Sequence, residues 1–314
     1  MILEQHRHWM FTLDPIHVGS GREQLTSIAL PHVREKGTGL PVVPGSSLSG
    51  SCRAYAALHK GGSSCAGKGG DDGMGHCGNC HICYAFGYSR GKEQDKAQAS
   101  RQGLIQISTA HILFFPIASA LGPVWITCRQ QLDAAGLPAD QEPATAKYRA
   151  AWGVNSAGPA LDLSWNRLMH DPGAAGVSEG SQFLKSFALN GADPVRTTGT
   201  VPCVDRITRA IVVNDGDFHG LIEANMEVRT LVSIKPETGA ADPGMLFTYE
   251  AIPRAALLWF DVVYSNPEHY GVPAASVRVE DLKATTRQGF DLMKFLGLGG
   301  MNTRGLGRVE IAVG

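Results

Sequence analysis

The sequence predicts a mixed α+β fold, and three observations predict it. Apolar segments of strand length recur from one end to the other, at residues 8–13, 103–107, 111–117, 124–127, 228–234, 245–249, 255–264 and 309–313. Only a few stretches carry the 3.6-residue apolar spacing of a helix, chiefly 48–59, 221–227 and 281–296. Glycine contributes 38 of 314 residues, which implies many tight turns and close backbone approaches between these segments.

Composition sets the outer bounds. Hydrophobic residues at 43% and charged residues at 18% supply a real core, and the length suits one large domain. A net charge of -1 excludes a polycation, so any nucleic-acid binding must come from local basic patches. No apolar run reaches the roughly 18 residues of a membrane span. The opening MILEQHRHWMFTLD lacks the apolar core of a signal peptide, so a cytoplasmic protein without a membrane partner is expected. Seven cysteines in a reducing compartment then point to metal or free thiols more than to disulfides.

The first strand, 8–13, runs into Asp14-Pro15-Ile16-His17-Val18-Gly19-Ser20-Gly21-Arg22. Glycines at 19 and 21 let the backbone turn sharply and bare its N–H groups. His17, Ser20 and Arg22 could then face a ligand, and a plain glycine-rich connector explains the same residues. Residues 27–36 are short and broken by Pro31.

Residues 40–60 organise the chain. A short strand, Val42-Val43, meets Pro44-Gly45, and Ser46-Ser47-Leu48 opens a helix that also carries Ser49 and Arg53. Serine at a helix start caps orphan N–H groups, and those groups with the helix dipole favour anions. Such a turn can grip a phosphate of RNA. A bare strand-to-helix junction remains the alternative.

Residues 61–87 hold the most specific local signal. Cys65 is followed by Cys77, Cys80 and Cys83, with two residues between each of the last three. Successive CxxC steps aim thiolates at a tetrahedral zinc, and Cys65 completes the set across a glycine-rich loop. His76 and His81 are the reserve ligands. The segment has almost no apolar residue before Ile82, so metal would supply the order that a core does not. A structural zinc is expected here; no general base stands out for a catalytic one.

Residues 129–200 are polar and rich in Ala, Gly and Pro, and read as a lobe of helices and loops. Within it, 161–169 reads as a short helix with Trp165 inward. Asn214 to Phe218 reads as an Asx turn. The strands 228–234 and 245–249 flank a ten-residue Pro/Gly-rich stretch, the pattern of a hairpin with a long tip.

The C-terminal stretch 297–309, GLGGMNTRGLGRV, sets two Gly-Leu-Gly triplets five residues apart between the last helix and the last strand. It is neither a Walker loop nor a dinucleotide fingerprint. Backbone without Cβ atoms at Gly299 can lie flat on a polynucleotide, with Asn302, Thr303, Arg304 and Arg308 beside the phosphates. A turn that needs glycine for packing alone is the alternative.

Taken together, His17–Gly21, Pro44–Leu48 with Gly50 and Arg53, and the terminal glycine pattern resemble the RAMP superfamily of CRISPR proteins. Leu113-Phe114-Phe115-Pro116, residues 212–218 and residues 245–253 add to the likeness, which spans most of the chain in order. It lies nearest the repeated backbone subunits of type III effector complexes, particularly the fourth subunit of Cmr complexes.

The resemblance implies a single RAMP-type domain over 1–314 with a ferredoxin-like (RRM-type) core. Lobes are inserted at about 61–87, a zinc knuckle, and about 129–200, with a β-hairpin thumb for which 228–249 is a candidate. It implies several copies stacked on a guide RNA (crRNA), paired with complementary target RNA and joined to other effector subunits. His17, Gly19, Ser20, Gly21, Arg22, Ser46, Ser47, Ser49, Arg53, Gly299, Asn302, Thr303, Arg304 and Arg308 would hold the guide by its backbone, independent of base sequence.

Two departures stand out. Relatives that cut target RNA carry an aspartate where this chain has Ala29, and no Asp occurs between Gly19 and Gly50. The lysine that often follows the PGSSL pattern is Ser49 here. The expectation is therefore an RNA-binding backbone subunit with no catalytic residue, served by a separate nuclease. The alternative is a target-RNA endoribonuclease that uses Glu23, His17 or His32.

Overall fold

Strand β1 (Leu3–Thr12) is the axis of the fold in the computed structural model. The structure describes residues 2–21, 28–59, 65–67, 76–89, 100–137, 143–152, 154, 160–171, 206–234, 237–239, 241–273 and 276–313. On one side β1 pairs antiparallel with β14 (Leu257–Ser265), from Leu3↔Ser265 to Phe11↔Leu257. On the other it pairs antiparallel with β15 (Val309–Val313), from His8↔Val313 to Thr12↔Val309. Side chains alternate across a strand, so β1 feeds two cores. Met10 joins the core under the long helices, and Trp9 and Phe11 join the core on the opposite face.

The sheet continues from β14 to β6 (Ala110–Ile117) and β7 (Val124–Cys128). It then runs through β11 (Ala210–Val213), β8 (Lys147–Trp152), β10 (Asn166–His170) and β9 (Ala160–Leu163). The lateral order is β15-β1-β14-β6-β7-β11-β8-β10-β9. Two short strands lie off this path: β2 (Val42–Val43) pairs with β6, and β5 (Ile105–Ile107) pairs with β14. Because β5 and β6 pair with successive parts of β14, they are one strand interrupted at Ser108-Thr109. The Ser108 N–H and Oγ both bond the backbone of Asp261 across that break.

Helix α1 (Gly45–His59) follows β2, and α5 (Val279–Leu296) connects β14 to β15. Both lay apolar stripes on the same sheet face: Leu48 and Cys52 from α1, and Leu282, Phe290 and Met293 from α5. They cross so closely that a Cβ on Gly289 would stand 2.5 Å from the Cys52 carbonyl oxygen. Strand β1, α1, strand β6, strand β14, α5 and strand β15 follow in chain order. Their strands lie side by side as β15-β1-β14-β6, every neighbour antiparallel. The other face is covered by α3 (Arg129–Ala134), whose Leu132 packs beside Trp9 and Phe11.

A separate two-stranded sheet pairs β12 (Glu227–Ile234) with β13 (Ala241–Ala251), Thr230 opposite Thr248. This is the hairpin that the alternating pattern predicts. Its base joins the body through the Ile16↔Ile252 and Leu30↔Tyr249 bridges. A third sheet pairs β3 (Tyr88–Ser89) with β4 (Ser100–Arg101) beside α2 (His81–Phe86).

Three local expectations are corrected. Residues 161–169 form the β9–β10 hairpin rather than a helix, and Trp165 at its tip is 91% exposed rather than inward. Leu161, Leu163 and Leu168 are buried with exposed residues between them, the period of a strand, and Ser164 turns the chain with φ of 51°. The expected helix at 221–227 starts earlier, as α4 (Asp215–Asn225), and Glu227 already belongs to β12. Asn214 is its N-cap, its side chain accepting the Gly216 N–H at 2.9 Å, so the Asx chemistry at 214 starts a helix instead of a loop. The composition of 129–200 predicts helices and loops. The described part of this stretch holds α3 and three strands that extend the main sheet, and residues 172–200 lie outside the described ones.

Candidate nucleic-acid interface and metal centre

The two glycine motifs, far apart in sequence, meet at His17. The Gly300 N–H donates to the His17 carbonyl at 2.9 Å, and the Gly307 N–H donates to the Pro15 carbonyl at 2.8 Å. Gly299 has φ of +84°, and a Cβ there would stand 2.4 Å from the same His17 oxygen. Only glycine fits both the left-handed backbone and this contact. Inside the loop, a Cβ on Gly307 would stand 2.6 Å from the Asn302 Oδ1. From α1, the Tyr55 hydroxyl donates to the Gly297 carbonyl at 2.7 Å, which ties the loop to that helix.

Gly19, Ser20 and Gly21 are exposed, and so are Gly299, Thr303, Arg304 and Arg308. Arg308 is paired with the Asp14 carboxylate through both oxygens, and Asp14 is held below the usual carboxylate range by that guanidinium. Arg22 and Glu23 lie outside the described residues.

His17 is 5% exposed and its Nδ1 lies 2.6 Å from the Glu250 carbonyl. A carbonyl only accepts, so Nδ1 carries the proton and a neutral ring keeps its lone pair on Nε2. His32 is more fully committed. Its Nδ1 accepts the Val18 N–H at 3.2 Å and its Nε2 donates to the Val42 carbonyl at 3.0 Å. Burial pushes its pKa down to about 4, so the ring is neutral near pH 7.

These loops rest on a partly buried ion network that no motif in the sequence marks. Arg34 donates to Glu250 through Nη1 and Nη2, both at 2.7 Å, and to both Glu223 oxygens at 2.9 Å. Glu250, 3% exposed, also accepts the His32 N–H at 3.0 Å. Burial alone would raise the Glu250 pKa, but the Arg34 and His32 donors outweigh it and lower it. The network joins residues 30–34, the base of the β12–β13 hairpin and α4. The one sequence sign of it is a glutamate in the mostly apolar stretch 245–252. Ala29 lies beside it, its N–H donating to the Thr248 hydroxyl at 3.1 Å.

At the start of α1, Ser46 is exposed, while Ser47 and Ser49 are half-buried. The Pro44 carbonyl accepts from the N–H groups of Ser47 and Leu48. Gly45 is required by contact: a Cβ there would stand 2.2 Å from the Ile107 carbonyl at the break between β5 and β6. Arg53 turns to the cysteine segment, where Nε and Nη2 donate to the Cys65 carbonyl at 3.1 and 2.9 Å. Its Nη2 also lies 3.1 Å from the His76 Nδ1.

The four cysteines of the predicted cluster converge, with the sulfur atoms of Cys65, Cys77, Cys80 and Cys83 within 4.8 Å of one another. A tetrahedron of 2.3 Å bonds spaces its sulfurs by about 3.8 Å, and Cys77 and Cys83 are 3.9 Å apart. Two backbone N–H groups point at sulfur, Cys77 to Cys65 and Cys83 to Cys80, both at 3.4 Å. Burial pushes the Cys77 thiol up, yet hydrogen bonds from the Asn79 backbone and the neighbouring cysteines outweigh it and bring its pKa to about 7. A closed set of four cysteine sulfurs of this size fits a metal held for structure, which would bind them as thiolates. Cys65 and Cys83 also pack with Ala56, Ala57 and Ile82, so the cluster has a small apolar floor.

No helix among the described residues is long and apolar enough to cross a membrane. The chain matches the family model of the RAMP superfamily over residues 11–310. It is 25% identical to the CRISPR system Cmr endoribonuclease Cmr4 of Pyrococcus furiosus over 312 residues, 97% of this chain and 94% of that protein. Among solved structures, a crystal structure of Cmr4 superposes with a TM-score of 0.59 at 20% identity and covers 99% of both chains. A chain of the type III-B Cmr-beta complex in its apo state gives 0.61 at 14% identity, covering 98% of this chain and 96% of that one. A chain of Cmr-beta bound to cognate target RNA gives 0.62 at 14%, covering 99% and 97%. With a match that spans nearly its whole length, this chain belongs to the RAMP superfamily.

Proposed function

We propose that this protein is a guide-RNA-binding backbone subunit of a type III-related CRISPR effector. One observation carries the reading: a Cmr4 relative aligns over 97% of this chain of the RAMP superfamily. Several copies stack along the crRNA, present it to complementary target RNA and bind other effector subunits. The β15-β1-β14-β6 order, with α1 and α5 on one face, fits a ferredoxin-like core, and the β12–β13 hairpin fits a thumb. The protein works in the cytoplasm.

The guide runs over Gly19–Gly21, the serines at the start of α1 and the loop from Gly299 to Arg308. Exposed backbone N–H groups, hydroxyls and Arg304 meet phosphates, which positions RNA without reading its bases. Arg53 acts through the cysteine segment, whose carbonyl it holds, and Arg308 reaches a phosphate from its pair with Asp14. Zinc on Cys65, Cys77, Cys80 and Cys83 would fix the short segment that has little core of its own.

The chain holds its target without cutting it, and cleavage belongs to a separate nuclease. Ala29 offers no carboxylate, Glu250 is clamped by Arg34, and both ring nitrogens of His32 are engaged. The name of the Pyrococcus furiosus relative favours the second reading, target-RNA cleavage, for which the lone pair on His17 Nε2 is a candidate base among the described residues, beside Glu23 outside them. Nuclease protection of a labelled guide tests the binding claim. Protected intervals of regular length support a stacked backbone, and a guide left uniformly sensitive contradicts it.

A further inference from the structure

Antiparallel pairing brings several turns of the chain to one end of the main sheet. Strand β1 ends there at Thr12, beside the start of β15 at Val309 and close to the start of β14 at Leu257. Strand β6 ends there at Ile117, opposite the start of β7 at Val124.

A continuous line of contacts joins these turns. The Leu13 and Asp14 N–H groups donate to the Arg308 carbonyl at 2.9 and 3.2 Å. The Thr12 hydroxyl donates to the Pro253 carbonyl at 2.8 Å, and the Ala255 N–H donates to the Thr12 carbonyl at 2.8 Å. The Trp125 indole donates to the Ala255 carbonyl at 2.7 Å, and the Trp125 backbone N–H donates to the Arg209 carbonyl at 2.9 Å. The Arg209 Nη1 lies 3.4 Å from where a Cβ on Gly122 would stand, in the turn after β6. That turn meets the β9–β10 hairpin at the Ser119↔Leu163 bridge, and the Ser164 N–H donates to the Ala118 carbonyl at 2.8 Å. The line ends at Trp165, 91% exposed.

Charge on this rim is one-sided. Arg254 is exposed and Arg209 half-buried, and neither has a hydrogen bond or ion pair to a described residue. Arg254 stands near enough to Asp14 to add to the pull of Arg308 on its carboxyl. The acids beside the rim are taken up, Asp14 by Arg308 at 3.1 Å and Asp162 by Arg167 at 3.6 Å. In a chain of net charge -1, unpaired guanidinium groups on one rim make a local anion surface. The Trp165 indole offers its ring face next to it. Bases of any identity stack on such rings, and guanidinium groups hold the phosphates between them. From β15 to β7 the rim crosses four strand spacings, roughly 19 Å, which suits a polynucleotide rather than a single anion.

We infer that this rim is a further track for single-stranded RNA, on which Arg254 and Arg209 hold phosphates and Trp165 stacks on a base. It begins at Arg308, where the proposed guide grip ends, and carries that grip across the end of the sheet. The inference rests on the backbone-subunit reading and adds residues that no glycine motif marks. Guide and target share this chemistry, and the test separates them.

The test is titration of the full chain into fluorescein-labelled single-stranded RNA over a range of salt. Trp165→Ala should weaken binding by about tenfold, within the usual worth of one stacked base, while Trp165→Phe keeps a ring and most of the affinity. Arg254→Gln combined with Arg209→Gln should flatten the slope of log affinity against log salt by about 1.4, at about 0.7 per phosphate contact on a single strand. In the complex assembled on a guide with its target, 4-thiouridine placed in one strand or the other shows by its crosslink to Trp165 which of them runs on the track. Wild-type affinity and salt slope in every variant overturn the track and leave the backbone reading standing. Unchanged RNA affinity in Trp165→Ala, with fewer copies per guide by sedimentation velocity, makes the tip a contact between copies and also overturns it. A wild-type chain that binds no RNA overturns both.

Discussion

Gly299 lies against the carbonyl of His17, so near that a Cβ at 299 would stand 2.4 Å from the oxygen. The neighbouring Gly300 N–H bonds that same oxygen. The first loop of the chain and the last one therefore share a single carbonyl, and neither can shift without the other. Gly299→Val should lower guide-RNA affinity by about tenfold and weaken folding by about 2 kcal/mol, through the positive φ and the overlap together. RNA titration and urea unfolding measure both. A variant with wild-type affinity and stability would mean that the loop gives way freely.

Arg34 is the hub beneath these loops. Removing it leaves Glu250 buried with one backbone donor, and breaking a buried pair costs about 3–5 kcal/mol when it is dry. The Arg34 side chain is 25% exposed, so about 2 kcal/mol is the expected loss for Arg34→Met. Arg34→Met with Glu250→Met should be more stable than Arg34→Met alone, because no lone carboxylate remains. Equal denaturant midpoints for the single and double variants would contradict the assignment.

The cysteine cluster predicts one zinc per chain by elemental analysis of protein purified without chelator. Chelation, or Cys77→Ser, should lower the melting temperature and raise hydrogen exchange around Cys65 and Arg53, which share the Cys65 carbonyl bond. Metal-free protein with an unchanged melting temperature would leave the cluster as a set of free thiols.

His8 and His32 are both buried neutral, each with a pKa pushed down to about 4 by burial. In the unfolded chain a histidine takes its proton near pH 6.5. Between those values the unfolded state binds more protons, so stability is full above pH 6.5 and falls as pH drops toward 4. At about 1.4 kcal/mol per pKa unit, the two rings together should cost several kcal/mol by pH 4. Urea midpoints from pH 7 to 4 check this, and His32→Gln should flatten the slope. A flat profile in the wild type would contradict the burial of these rings.

Much of this arrangement is legible in the sequence because it rests on short-range patterns. Helix α5 shows its 3.6-residue stripe from Leu282 to Met293, and the CxxC steps gather sulfur by local geometry. The glycine triplets mark close approach, although only the fold says that Gly299 approaches His17. Pairings across the chain are not legible: Arg34 and Glu250 are 216 residues apart, and neither motif nor period links them. The place of Trp165 is not legible because 161–169 is short, and nine residues of mixed apolar type fit a helix as well as a hairpin. At Asn214 the sequence does not separate a turn from a helix start, because an Asx turn and a helix N-cap use the same side-chain bond.

The central claim is that this subunit holds target RNA on its guide without cutting it. The most direct test is a labelled target, bound to the complex assembled on a complementary guide, with magnesium or manganese and no other nuclease. The account predicts a target that stays bound and intact. Cuts at a regular spacing would contradict it, and loss of those cuts on changing His17 would identify the group that replaces the missing aspartate.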